Sequence, residues 1–172
     1  TAGVDSLSDT VACDGYLTLR GRKYLTLGRC WIAKLHWAQH PIGLNLTFED
    51  AIEQSCNVYF ETMADRLGMD RLAHFYSLFG LGRPTGIGIP EVSGRIPSAA
   101  ATPPADLEST TWFCGIGQTE VLATPIQMCN VAATVARNGI WMRPTLIKDE
   151  GRRMKDEINP TLSPGTPASG ES

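Results

Sequence analysis

Two helix-start signatures constrain this chain more than anything else in it: Thr47-Phe48-Glu49-Asp50 and Thr124-Pro125-Ile126-Gln127. In each, a threonine hydroxyl can accept the backbone N–H three residues on, while the carboxylate or carboxamide there reaches back to the threonine N–H. Pro125 adds a residue whose fixed φ and missing N–H suit the first helical position. The first box predicts a helix to about Gln54, broken by Ser55-Cys56-Asn57. A second helix follows from Val58 to Leu67, with Tyr59, Met63 and Leu67 inward, stopping at Gly68. A third has Asp70 as cap, buries Leu72, Phe75, Tyr76 and Phe79, and ends at Gly80. The second box opens a helix burying Met128, Val131, Ala132 and Val135 before Asn138-Gly139.

Between the third and fourth helical patterns, residues 82–118 are punctuated by Gly and Pro and show too little alternation for a large sheet, so they read as extended chain. Residues 141–147 read as a short strand that Pro144 confines to an edge or an end. The fold class is therefore mainly α with short strands. Both ends change character. Residues 1–10 read as a flexible tail, and 11–147 as the folded part. Eight of the ten residues in 148–157 are charged, and 159–172 are rich in Pro, Gly, Ser and Thr, so 148–172 read as a linker or surface excursion.

Composition narrows the function. At 42% apolar the 172 residues can build a core, and a net charge of −3 gives no field that would draw the molecule to nucleic acid. No apolar run reaches the ~18 residues of a membrane span, and residues 1–5 lack the pattern of a signal peptide. The chain reads as soluble and, lacking an initial Met, as an excerpt of something longer.

Ser55-Cys56-Asn57 sets a hydroxyl and a carboxamide two residues apart between two helices. That arrangement suits proton transfer to or from a nucleophile together with a hydrogen bond to a substrate amide. Alone it suits a polar inter-helix turn as well. Three ordered stretches add context: residues 51–60 around the tripeptide, followed by Arg66-Leu67-Gly68-Met69-Asp70; Phe79-Gly80-Leu81-Gly82 through Thr85-Gly86-Ile87 to Pro90-Glu91; and Gly115-Ile116-Gly117-Gln118 followed by Thr124-Pro125-Ile126-Gln127-Met128. Together they resemble the class B penicillin-binding proteins, most nearly the elongation-type branch, over about residues 11–147.

That resemblance implies the helical part of a penicillin-binding-protein/serine β-lactamase-like transpeptidase domain. In such a domain a Ser-x-x-Lys nucleophile, a Ser-x-Asn relay and a Lys-Thr-Gly strand share one cleft. Only the middle motif is here: none of Lys23, Lys34, Lys148 and Lys155 has Ser three residues before it or Thr-Gly or Ser-Gly after it. By resemblance Ser55 shuttles protons, Asn57 contacts the substrate amide, and Gly117 and Gln118 lie at the substrate-binding rim. The parent would cross-link peptidoglycan stem peptides, react with β-lactams, work with cell-elongation membrane proteins and reside in the bacterial cell envelope on the periplasmic face. The chain alone would be inactive. Rival readings are a non-catalytic wall-binding or partner-docking relative, and a β-lactam sensor or serine β-lactamase of the same fold.

A second site is suggested by Cys13, Cys30, His36, His40 and Cys56. Three thiolates and one imidazole make a closed tetrahedral set for structural zinc. The aperiodic segment 11–46 would need such a clamp, with either His36 or His40 as the fourth ligand. Some members of the resembled branch carry zinc here with Asp, His and Cys ligands. A Cys13–Cys30 disulfide and unlinked thiols are the alternatives. Cys114 and Cys129 read as core residues and His74 as solvated or capping.

Overall fold

The computed structural model describes residues 9–147, so the expected excursion at 148–172 and most of the tail at 1–10 lie outside the described residues. The chain divides into two compact units. Among the described residues, one contains 9–73 together with Pro97–Val121, and the other His74–Ile96 together with 122–147.

In the first unit, β1 (Val11–Ala12) pairs antiparallel with β4 (Asn45–Leu46), joining the two ends of the aperiodic segment. Within that segment, β2 (Thr18–Leu19) and β3 (Arg22–Lys23) form a tight hairpin, with Arg20 and Gly21 both at positive φ as its turn demands. A 3-10 helix covers Trp31–Leu35. The Thr47 capping box forms as read: the hydroxyl accepts from Asp50 N at 3.2 Å and the Asp50 carboxylate accepts from Thr47 N at 2.9 Å. It opens α1 (Phe48–Glu53), which is followed by α2 (Asn57–Leu67) and α3 (Met69–Leu78), whose residues from His74 onward belong to the second unit. Two boundaries move. Asn57 is the first residue of α2 rather than part of a turn, and Asp70 lies inside the first turn of α3 rather than capping it.

Residues 82–118 are not extended throughout, because Pro104–Gly115 form α4. This helix buries Thr111, Trp112 and Cys114, which do not repeat at a single amphipathic interval, so periodicity gave no sign of it. Its ends are nonetheless chemically marked. Pro104 occupies the first turn, and the far end closes with Gly117 N donating to Cys114 O (2.9 Å) and Gln118 N donating to Phe113 O (2.8 Å). That pair of bonds around a left-handed Gly117 (φ +69°) is a Schellman closure. α4 packs on α2. At their closest approach Gly115 permits what no other residue could: a Cβ there would lie 2.7 Å from the Phe60 carbonyl oxygen and 2.5 Å from Ala64 Cβ.

Trp112 anchors this packing. Its indole stacks edge-on against Tyr24 at 4.7 Å and its Nε1 donates to Asp65 at 3.0 Å. Arg20 bridges Asp65 and Glu108, tying the hairpin to α2 and α4. Leu17, Ile32, Leu46, Val58 and Tyr59 complete the core around three of the cysteines.

The second unit holds α5 (Pro125–Ala136), opened by the Thr124–Gln127 capping box. Its inward face is the opposite of the expected one. Gln127, Asn130 and Thr134 are buried, while Met128 is 52% and Val135 64% exposed, and Cys129 is exposed rather than in the core. The physical reason lies in the irregular chain beside it, whose carbonyls have no sheet partners. Gln127 Nε2 donates to Arg83 O (2.7 Å) and Ser93 O (2.9 Å), and Asn130 Nδ2 to Met142 O (3.0 Å). Satisfying buried carbonyls outweighs turning methyl groups inward. The carboxylate of Glu91 closes a neighbouring loop by accepting from the Thr85 hydroxyl (2.6 Å), Gly86 N (2.7 Å) and the Thr85 and Ile87 amides. Phe75 is exposed, against the reading that buried it, while Leu72, Tyr76 and Phe79 are half-buried. The strand expected at 141–147 does not form: these residues make no ladder among the described residues.

Candidate functional site

Ser55, Cys56 and Asn57 occupy the join between α1 and α2, where the chain reverses its side-chain direction twice. Ser55 sits at φ +50°, in the left-handed region, with its amide donating to Ile52 O at 3.2 Å and its side chain exposed. A non-glycine residue held there marks a join set by its surroundings rather than by local preference. Cys56 turns inward, fully buried, and its sulfur caps α2 by accepting from Tyr59 N at 3.4 Å. Asn57 turns outward again, and its Nδ2 donates to the Arg29 carbonyl at 3.2 Å. One Nδ2 proton and the carboxamide oxygen of Asn57 remain for another partner. Ser55 is exposed and Asn57 half-buried on either side of the buried Cys56.

The buried sulfur has company. The thiols of Cys13, Cys30 and Cys56 and the imidazole of His40 offer four ligand atoms that all lie within 4.8 Å of one another, with every one of the four residues buried. His40 Nε2 is 3.4 Å from Cys30 Sγ, and Trp31 packs edge-on against the imidazole at 5.5 Å. His36 is not part of the group. It closes the 3-10 helix in a left-handed conformation (φ 56°) and is exposed, which decides between the two histidines. The three cysteines are free thiols with no disulfide among them.

Four features fit this set to a metal ion. The donors are the soft thiolate and imidazole pair that zinc prefers, and four of them close a tetrahedron without a place for solvent. Each sulfur receives at least one main-chain N–H: Gly15 serves Cys13, Ile32 and Asn57 serve Cys30, and Tyr59 serves Cys56. His40 Nδ1 is buried with no hydrogen-bond partner among the described residues. Finally, without a cation the thiols share charge badly. Hydrogen bonds from Cys13 and then Cys56 push the Cys30 thiol down, while Cys13 is pushed up by its bond to Cys30, and Cys56 by its bonds to Cys13 and Cys30. A divalent ion relieves that conflict by ionising all three.

Close to this cluster lies a residue that sequence reasoning passed over. Glu61 of α2 is 1% exposed and its Oε2 has no partner among the described residues. Burial, and secondarily the negative charge of Cys30, push its carboxyl up to about 7. A glutamate in a polar-looking helix stretch gives no sequence signal of burial. The Arg29 carbonyl that holds Asn57 was equally invisible, because main-chain acceptors carry no residue identity. Gly117 and Gln118 stand at the C-terminal end of α4, where Gly117 supplies the closing turn and the Gln118 side chain is exposed. Cys114 is buried as expected, and His74 is exposed with its ring against Phe75.

Comparison with known proteins agrees with these motifs. Peptidoglycan D,D-transpeptidase MrdA of Salmonella typhimurium is 36% identical over 137 residues, which are 77% of this chain and 22% of that protein. Peptidoglycan D,D-transpeptidase PbpA of Mycolicibacterium smegmatis is 31% identical over 125 residues, 73% of this chain and 24% of the relative. The chain thus spans under a quarter of the length of these curated relatives. The crystal structure of Pseudomonas aeruginosa PBP2 in complex with WCK 5153 superposes with a TM-score of 0.74 at 30% identity, over 92% of this chain and 34% of that one. The family model described as the penicillin binding protein transpeptidase domain matches residues 28–170. With its Ser-x-Asn tripeptide at a helix junction and most of its length matched, the chain belongs to the penicillin-binding-protein transpeptidase domain family.

Proposed function

We propose that this chain is the middle part of an elongation-type peptidoglycan D,D-transpeptidase, the class to which its MrdA relatives belong. The observation that carries the reading is the Ser55–Cys56–Asn57 junction: an exposed hydroxyl and a half-buried carboxamide flank an immobilised sulfur. In the complete enzyme a serine Oγ outside this chain would attack the carbonyl of the penultimate D-Ala. An ester forms, the amide bond breaks, and terminal D-Ala leaves with the proton. The amine of a second stem peptide then attacks the ester and restores the serine. Ser55 passes protons to and from the reacting oxygen and nitrogen, and Asn57 donates its remaining Nδ2 proton to the substrate amide. Gly117 and Gln118 border the substrate.

Cys13, Cys30, His40 and Cys56 hold structural zinc in this reading. A bound ion supplies no acyl-transfer chemistry, only a cross-link between the aperiodic segment and the relay junction. The parent acts in the bacterial cell envelope, on the periplasmic face, with peptidoglycan stem peptides as substrates, β-lactams as inhibitors and cell-elongation membrane proteins as partners. Among the described residues no helix is long and apolar enough to cross a membrane.

Fluorescent penicillin tests the reading. The complete protein should be labelled, and Ser55→Ala should slow acylation by about 10²- to 10⁴-fold, the range of a lost proton relay. The 172-residue chain, which has no Ser-x-x-Lys, should stay unlabelled. An unlabelled complete protein, or a labelled isolated chain, would refute the proposal.

A further inference from the structure

Residues 15–48 contain five of the fifteen Lys and Arg residues of the chain and none of its eighteen Asp and Glu residues. An acid-free run of that length, in a molecule of net charge −3, concentrates positive potential on the segment that wraps the relay junction. The five cations are not equivalent. Arg20 is neutralised by Asp65 and Glu108, and Lys23 pairs with Asp14. Arg29 is exposed and has no carboxylate partner among the described residues; its Nε donates to the Leu25 carbonyl, which fixes the guanidinium while leaving its outer nitrogens uncommitted.

Tyr16 assembles these groups. The Lys23 ammonium lies 4.8 Å from its ring centroid and the Arg29 guanidinium 5.8 Å from the same ring. Lys23 is already paired with Asp14, so of the two cations on this ring Arg29 is the one with no carboxylate partner among the described residues, free to meet an incoming anion. The position of Arg29 gives the arrangement its meaning. Its carbonyl is the acceptor that holds the Asn57 carboxamide, so the residue that carries this guanidinium is hydrogen-bonded through its main chain to the Ser-x-Asn tripeptide.

We infer that Arg29, supported by Lys23 on the Tyr16 ring, is a carboxylate-recognition subsite that selects stem peptides bearing a free carboxylate away from the reacting D-Ala amide. This inference rests on the transpeptidase reading and adds the substrate class: an acidic peptide is preferred to its carboxamide counterpart. The interaction is solvent-exposed, so it is a matter of several-fold selectivity rather than of all-or-none turnover.

The test uses the complete protein with two synthetic peptides ending in D-Ala-D-Ala, identical except that one carries an acidic side chain and the other its carboxamide. Release of D-Ala is measured for both. The wild type should favour the acidic peptide in kcat/KM by roughly five- to tenfold, as expected for one charged hydrogen-bonded pair at a surface. That preference should shrink as salt rises through the range where screening acts over ~10 Å. Arg29→Gln should abolish the ratio and Arg29→Glu should invert it; both leave the main-chain carbonyl that Asn57 needs. A wild-type enzyme indifferent to the carboxylate, or a ratio unchanged in Arg29→Glu, would overturn the inference. Penicillin labelling of the same wild-type preparation keeps the two readings apart: labelling without carboxylate preference sinks only the subsite, whereas failure to label or to release D-Ala sinks the enzyme itself.

Discussion

Glu61→Gln is the substitution whose effect can be worked out most fully. The carboxyl is almost wholly buried, one of its oxygens is unpartnered, and it sits at about 7 against an ordinary value of 4.5. The folded state therefore binds the proton more tightly than the unfolded chain does. Below about 4.5 both states are protonated and the stability is fully present. As pH rises the unfolded chain releases its proton first, and stability is lost progressively until the folded state also ionises above about 7. At ~1.36 kcal/mol for each pH unit of separation, the loss across that window is about 3 kcal/mol. Glutamine keeps the shape and cannot ionise, so it should be no more stable than wild type at pH 4.5 and clearly more stable at pH 8. Urea denaturation of both proteins at half-unit intervals, read by tryptophan fluorescence and far-ultraviolet circular dichroism, gives the difference directly. A gap between wild type and Glu61→Gln that stays constant from pH 4.5 to 8 would refute the argument. It would mean that the buried oxygen finds a partner, or that water reaches it.

Two further outcomes follow from the structure. Purified protein should contain about one zinc per chain, the number one four-donor site holds; His40→Ala should lose it and destabilise the first unit, while His36→Ala should retain it, and elemental analysis with a thiol count decides. Gln127→Ala should destabilise the second unit by about 2 kcal/mol, because the Arg83 and Ser93 carbonyls lose their donor together, and an unchanged melting temperature would show that water replaces it.

Both capping boxes were legible from the sequence because their chemistry is local: a hydroxyl, a carboxamide or a carboxylate acts within three residues of itself, whereas Ser55-Cys56-Asn57 stood out only through the ordered motifs around it. The cysteine cluster was half legible. Residue types announced it, but the choice of His40 over His36 depended on how the 3-10 helix ends, with His36 consumed in a left-handed closure. α4 went unread because its burial is set by α2 and the hairpin rather than by one stripe of its own, although Pro104 and Gly117 marked its ends. The inversion of α5 has the same origin. Periodicity counts methyl groups, whereas the buried side of that helix is fixed by three main-chain carbonyls that no sequence pattern displays.

By itself the sequence determined where the two capping boxes open helices and which residue types can bind metal, since those follow from groups near one another along the chain. Only the tertiary structure decided which faces are buried, which histidine joins the thiols, that Glu61 is stripped of water and that Arg29 stands beside Asn57. Each of these is settled by contacts between residues far apart in the chain, where desolvation and unsatisfied main-chain groups weigh more than local preference.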